Sequence, residues 1–73
     1  MKLIHQYNNL AGRSCALWQV DYNQARPWAV AWSVGGKTIA TYWGSDTEAE
    51  HAAAHYMATG QMPENSNTER SLA

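Results

Sequence analysis

Between residues 28 and 60 the chain alternates, turns, alternates again and then changes period. Trp28–Val34 and Lys37–Trp43 each repeat every second residue, the pattern of strands whose two faces differ. Gly35 and Gly36 stand between them, and two glycines supply the positive φ that a type I′ turn needs at both central positions. A two-residue turn also fixes the register. Val34 faces Lys37, Trp32 faces Ile39, Val30 faces Thr41 and Trp28 faces Trp43, so one face carries three Trp, two Val and Ile39. The opposite face, with Ala29, Ala31, Ser33, Thr38, Ala40 and Tyr42, is small and flat.

After Trp43 the period lengthens to that of a helix. Ser45 with Glu48 fits a capping box, with Asp46 as an alternative N-cap, and Asp46, Glu48 and Glu50 suit the positive end of the helix dipole. Ala49, Ala52, Ala53, Tyr56 and Met57 form a stripe of mostly small residues, suited to close packing on the Trp face. Gly60 is a natural C′ residue and Pro63 reinforces the stop. From residue 61 to 73 the chain turns polar and reads as a flexible tail.

Upstream the pattern is weaker. Residues 3–7 read as a short strand with poor alternation, and Asn8, Asn9 and Gly12 mark a turn or loop. Residues 14–22 alternate clearly: Ala16, Trp18, Val20 and Tyr22 oppose Cys15, Leu17, Gln19 and Asp21. Pro27, which has no donor for a ladder, closes the loop that follows. The expected fold is one α+β domain over residues 1–60, a three- to four-stranded antiparallel sheet with one α-helix packed on its Trp face. Trp32 is expected to be buried in that packing.

Composition narrows the functional classes. Seventy-three residues make one small domain, whose core has little area to work with. A single cysteine, Cys15, excludes an intramolecular disulfide and a zinc site built on cysteines. Bulk must come from four Trp and four Tyr, with no Phe. Charged residues are 15% of the chain and the net charge is −1, against about 25% charged residues in ordinary domains. So sparse a charge favours self-association and leaves a homodimer open. The first residues lack the apolar run of a signal peptide, and no segment is long enough to span a membrane. The chain therefore reads as cytoplasmic, with no membrane partner.

Catalytic chemistry finds little footing. His51 and His55 lie one turn apart, with Glu48 a turn earlier, a spacing that lets imidazoles share a metal. The zincin helix, however, carries a Glu directly after its first His, and Ala52 stands there. Both histidines therefore read as residues of a polar helix face. Gly35-Gly36-Lys37-Thr38 imitates the end of a phosphate loop, but Ala31 replaces the required first glycine and a strand follows instead of a helix. Cys15 sits in no nucleophile motif and reads as a small apolar strand residue. The expectation is a protein that is not an enzyme and has no metal or cofactor.

Two resemblances bear on binding. The Trp-bearing hairpin and the helix that opens Thr47-Glu48-Ala49-Glu50 resemble the arm-type DNA-binding domains of phage integrases, which implies a sheet that enters the major groove. Against that implication, Lys2, Arg13, Arg26, Lys37 and Arg70 are scattered and outnumbered by acids, whereas phosphate affinity requires clustered bases. The wider layout runs from Met1-Lys2-Leu3-Ile4 through antiparallel strands and the Gly36-Lys37 turn to the Asp46-Thr47-Glu48 helix start and Tyr56. It resembles small phage-encoded inhibitors of host machinery, some anti-CRISPR proteins among them. That resemblance implies a host protein or protein complex as partner and occlusion of its surface as mechanism. Trp and Tyr are the residues most enriched at binding hot spots, and Trp18, Tyr22 and Tyr42 are the candidate partner-binding residues. Nucleic acid is the alternative partner.

Overall fold

The central hairpin sets the frame. Gly35 and Gly36 take φ values of 58° and 78°, and the strands on either side, β3 (Trp28–Val34) and β4 (Lys37–Trp43), pair from Val34↔Lys37 to Trp28↔Trp43. This is the register that the two-residue turn demands. The computed structural model describes residues 1–9, 11–63 and 68–70.

Two further strands precede the hairpin, β1 (Lys2–Asn8) and β2 (Ser14–Gln19), each antiparallel to its neighbour. The helix α1 (Asp46–Thr59) follows β4 and contacts all four strands. This is an α+β fold, with the expected antiparallel sheet and one helix against it. One element is additional. Part of the segment read as a tail lies outside the described residues, but Thr68–Arg70 forms a short strand, β5, paired with Ile39–Thr41 of β4. The polarity of residues 61–73 carries no information about backbone pairing, and the outer edge of β4 offers unpaired N–H and C=O groups to any extended segment. The described sheet thus runs β1-β2-β3-β4-β5, in sequence order.

The main core lies between sheet and helix. Leu17 and Val30 are fully buried and meet Ala49, Ala52, Ala53 and Tyr56 of α1, with Cys15 beside them. Trp28, Trp32 and Trp43 pack around this cluster, each only partly buried. Trp32, expected to be buried, is only partly so and forms a wall of the cluster: its ring meets Tyr56 with centroids 5.4 Å apart, and its Nε1–H donates to Thr41 Oγ1 at 3.1 Å. An indole is too large to disappear under a helix of alanines, and its polar edge needs a partner when covered. Thr41, fully buried, supplies it.

Both helix ends are satisfied. Ser45 Oγ accepts from Glu48 N at 3.2 Å, while the Glu48 carboxylate reaches back to Gly44 N, one residue before the cap. Gly60, at φ 82°, donates its N–H to Tyr56 O at 2.7 Å. The loop after β1 then clasps the last turn. Asn9 Oδ1 accepts from Ala11 N and Arg13 N, and Asn9 Nδ2 and Arg13 Nη1 both donate to Met57 O at 3.3 and 2.9 Å. The last turn of α1 has no basic residue of its own, so Arg13 brings a positive charge to the negative end of the dipole.

Truncating the most enclosed side chain tests this core. Leu17→Ala should cost about 2–5 kcal/mol through lost burial and the cavity left behind. Urea denaturation should show a much lower midpoint, or no folded baseline, because a domain of this size holds only a few kcal/mol in reserve.

Candidate interaction surface

The face of the sheet away from α1 carries a second, smaller apolar cluster. Val20, Ala29, Ala40 and Tyr42 are buried there, and Trp18 packs against them partly buried. Small alanines opposite one another on β3 and its neighbours leave room for rings to lie over the sheet. Tyr22, from the loop after β2, completes the group: its hydroxyl is 2.7 Å from that of Tyr42, and the two rings meet edge-on at 5.9 Å.

The three expected contact residues are therefore neighbours, but they do not share one role. Tyr22 is 58% exposed, whereas Tyr42 is 4% exposed. Tyr42 thus departs from the expectation of a surface residue. Its place on the small face suggested exposure, yet Val20, Trp18 and Tyr22 gather around it and make it a support. Trp18 and Tyr22 present the surface.

Leu3 extends this patch and was not singled out from the sequence. It pairs with Trp18 across β1 and β2 and is 46% exposed. The reason it escaped notice is a register shift. Leu3 faces Trp18 but His5 faces Leu17, so Ile4 is an extra residue in β1. A bulge moves the alternation by one position, which is why β1 reads as a poor strand. The exposed Ile4 next to it, at 40%, belongs to the same edge.

The chemistry-bearing residues lie elsewhere. Glu48, His51 and His55 line an open groove of about 310 Å³ on the outer side of α1, together with Trp43, Ala52 and Pro63. Among the described residues, no group of three or more His, Cys, Asp or Glu is placed to hold a metal ion. His5 packs edge-on against Tyr7, 4.3 Å between ring centroids. Among the described residues, the buried Trp43 indole N–H has no hydrogen-bond partner, an omission that costs on the order of 1–3 kcal/mol. Burial pushes the Cys15 thiol up to about 11, and Tyr7 is raised too, by burial first and then by Glu50 and Cys15. A thiol so protonated is a poor nucleophile at neutral pH.

No family model matches the chain, and neither a curated protein nor a solved structure gives a match. Among the described residues, no helix is long and apolar enough to cross a membrane.

Two outcomes follow from these environments. A thiol reagent at neutral pH should modify Cys15 only as fast as the protein unfolds. Because the folded thiol's pKa is raised from 9.0 to about 11, its contribution to stability is full below pH 9 and fades as pH rises toward 11; alkaline melting curves should follow that fall. Separately, Tyr22→Phe should lower stability by about 1 kcal/mol through loss of the paired hydroxyl, read by chemical denaturation.

Proposed function

We propose that this protein is a small non-enzymatic protein-binding module, an inhibitor of the kind carried by phages or mobile elements, which acts by covering part of a host protein's surface. One observation carries the reading: the helix-free face of the sheet presents Trp18, Tyr22 and Leu3 side by side, with Tyr22 held by the Tyr42 hydroxyl. An aromatic pad whose side chains are already oriented loses little conformational entropy on binding. Trp and Tyr also combine large apolar area with a polar edge, which suits them to a surface that is wet when free and dry when bound. The absence of a charged residue among these three favours a protein surface over a phosphate backbone, where affinity comes from Lys and Arg.

The mechanism is steric. A flat pad on a rigid sheet needs no conformational change in either partner, and its effect is to exclude whatever the host surface would otherwise bind. Nothing in the pad requires a cofactor.

The test is affinity capture from a bacterial lysate with tagged wild type, Trp18→Ala and Tyr22→Ala, in parallel and after nuclease treatment. Wild type should retain a defined protein partner after nuclease. Each substitution should weaken capture by about tenfold or more, the loss typical of a hot-spot residue, with Tyr22→Ala keeping a cooperative melting transition. Equal capture by all three proteins rejects the pad. Loss of all bound material on nuclease treatment replaces this reading with nucleic-acid binding.

A further inference from the structure

The groove beside α1 has a chemistry that the pad does not share. Its floor is apolar, with buried Ala52 and partly buried Trp43 and Pro63, and its rim carries the exposed Glu48, His51 and His55. Among the described residues, no lysine or arginine lines it. The surrounding helix is the acidic pole of the molecule: α1 contains Asp46, Glu48 and Glu50, and none of the five basic residues of the chain. Arg13, the base closest to the helix in function, is committed at the other end of α1, on the Met57 carbonyl.

We propose that this groove receives an arginine side chain presented by the partner protein. The proposal rests on the protein-binding reading for the nature of its guest, and adds a second contact on the opposite side of the sheet from the pad. The guest's charge follows from complementarity: among the described residues the groove offers one carboxylate and no lysine or arginine, which makes it a site for a cation. Its shape follows from the indole. A guanidinium is planar and weakly hydrated, stacks on an aromatic face and forks onto a carboxylate, whereas an ammonium is a compact and strongly hydrated point charge. The three methylenes of arginine match the apolar floor. Glu48 uses one carboxylate oxygen on Gly44 N, and a carboxylate has lone pairs to accept further donors. His51 and His55 place imidazole rings on the same rim, beside a group with five N–H donors and no acceptor. A metal ion is the poorer guest, since among the described residues no three ligands converge.

The probe is the blocked tripeptide acetyl-Gly-Arg-Gly-amide, titrated into the full chain while the NMR signals of the Trp43 indole N–H and the His51 and His55 amides are followed. Saturable shifts at these positions are expected in the millimolar range. The citrulline peptide, which has the same shape without the charge, should leave them unmoved. Glu48→Gln keeps an oxygen acceptor for Gly44 N, so the helix cap survives; it should weaken arginine binding about threefold, in line with the worth of an exposed ion pair. Equal shifts with citrulline, no weakening in Glu48→Gln, or no saturable shift at Trp43 would each overturn the proposal. A lysine peptide that binds more tightly than arginine would overturn the guanidinium assignment. The Tyr22→Ala variant should give the wild-type titration. If the titration fails while capture still depends on Trp18 and Tyr22, the groove is wrong and the pad stands.

Discussion

The packing of a helix of alanines against a sheet of indoles is the constraint on which the other features depend. Ala49, Ala52 and Ala53 bring the backbone of α1 close to the sheet, where Leu17 and Val30 fill the space beneath it. Three indoles then have no room under the helix and take positions around it. From this arrangement comes the need for Thr41 to satisfy Trp32, and the formation of a groove where Trp43 meets the outer side of α1. A larger residue at any of the three alanines would lift the helix and undo the wall of rings at once, because a packed core has little slack. The caps at Ser45 and Gly60 and the Asn9–Arg13 clasp hold the helix in the position that this packing sets.

The sheet then separates two surfaces of different character. On the side away from the helix, Leu3, Trp18 and Tyr22 form an apolar and aromatic patch beside a floor of alanines. On the helix side, Glu48, His51 and His55 rim the groove beside α1. A chain with so few charges concentrates half of its six acids on one helix, and that uneven placement gives the domain a polarity that its net charge conceals. Orientation of a docked partner follows from such polarity more than affinity does.

Much of the fold was legible because the hairpin is over-determined. Gly35-Gly36, the alternation on both sides and the capping residues of α1 all point to one answer, and such agreement among local signals marks a sequence that specifies its structure. What was not legible depends on contacts between distant segments. The bulge at Ile4 disguised β1, because period-two reasoning fails where one residue is extra. The strand at Thr68–Arg70 has no pattern of its own and owes its form to the edge of β4. Of the candidate site, the grouping of Trp18, Tyr22 and Tyr42 was legible from alternation, but the burial of Tyr42 was not. A residue's face can be read from its parity, whereas its exposure depends on what lies above it.

The order of strands has a consequence for how the chain reaches this structure. Strands β1 to β4 of the described sheet each pair with the strand next to them in sequence across a short connection, so the entropy of loop closure stays small for these pairings. Strand β5, by contrast, reaches β4 only from beyond α1. A domain built in this way can zip outward from the Gly35-Gly36 turn. The clasp reaches further still, since Asn9 and Arg13 meet Met57 from more than half the chain away. It is a latch between the first loop and the finished helix, and it can close only once the sheet beneath is complete.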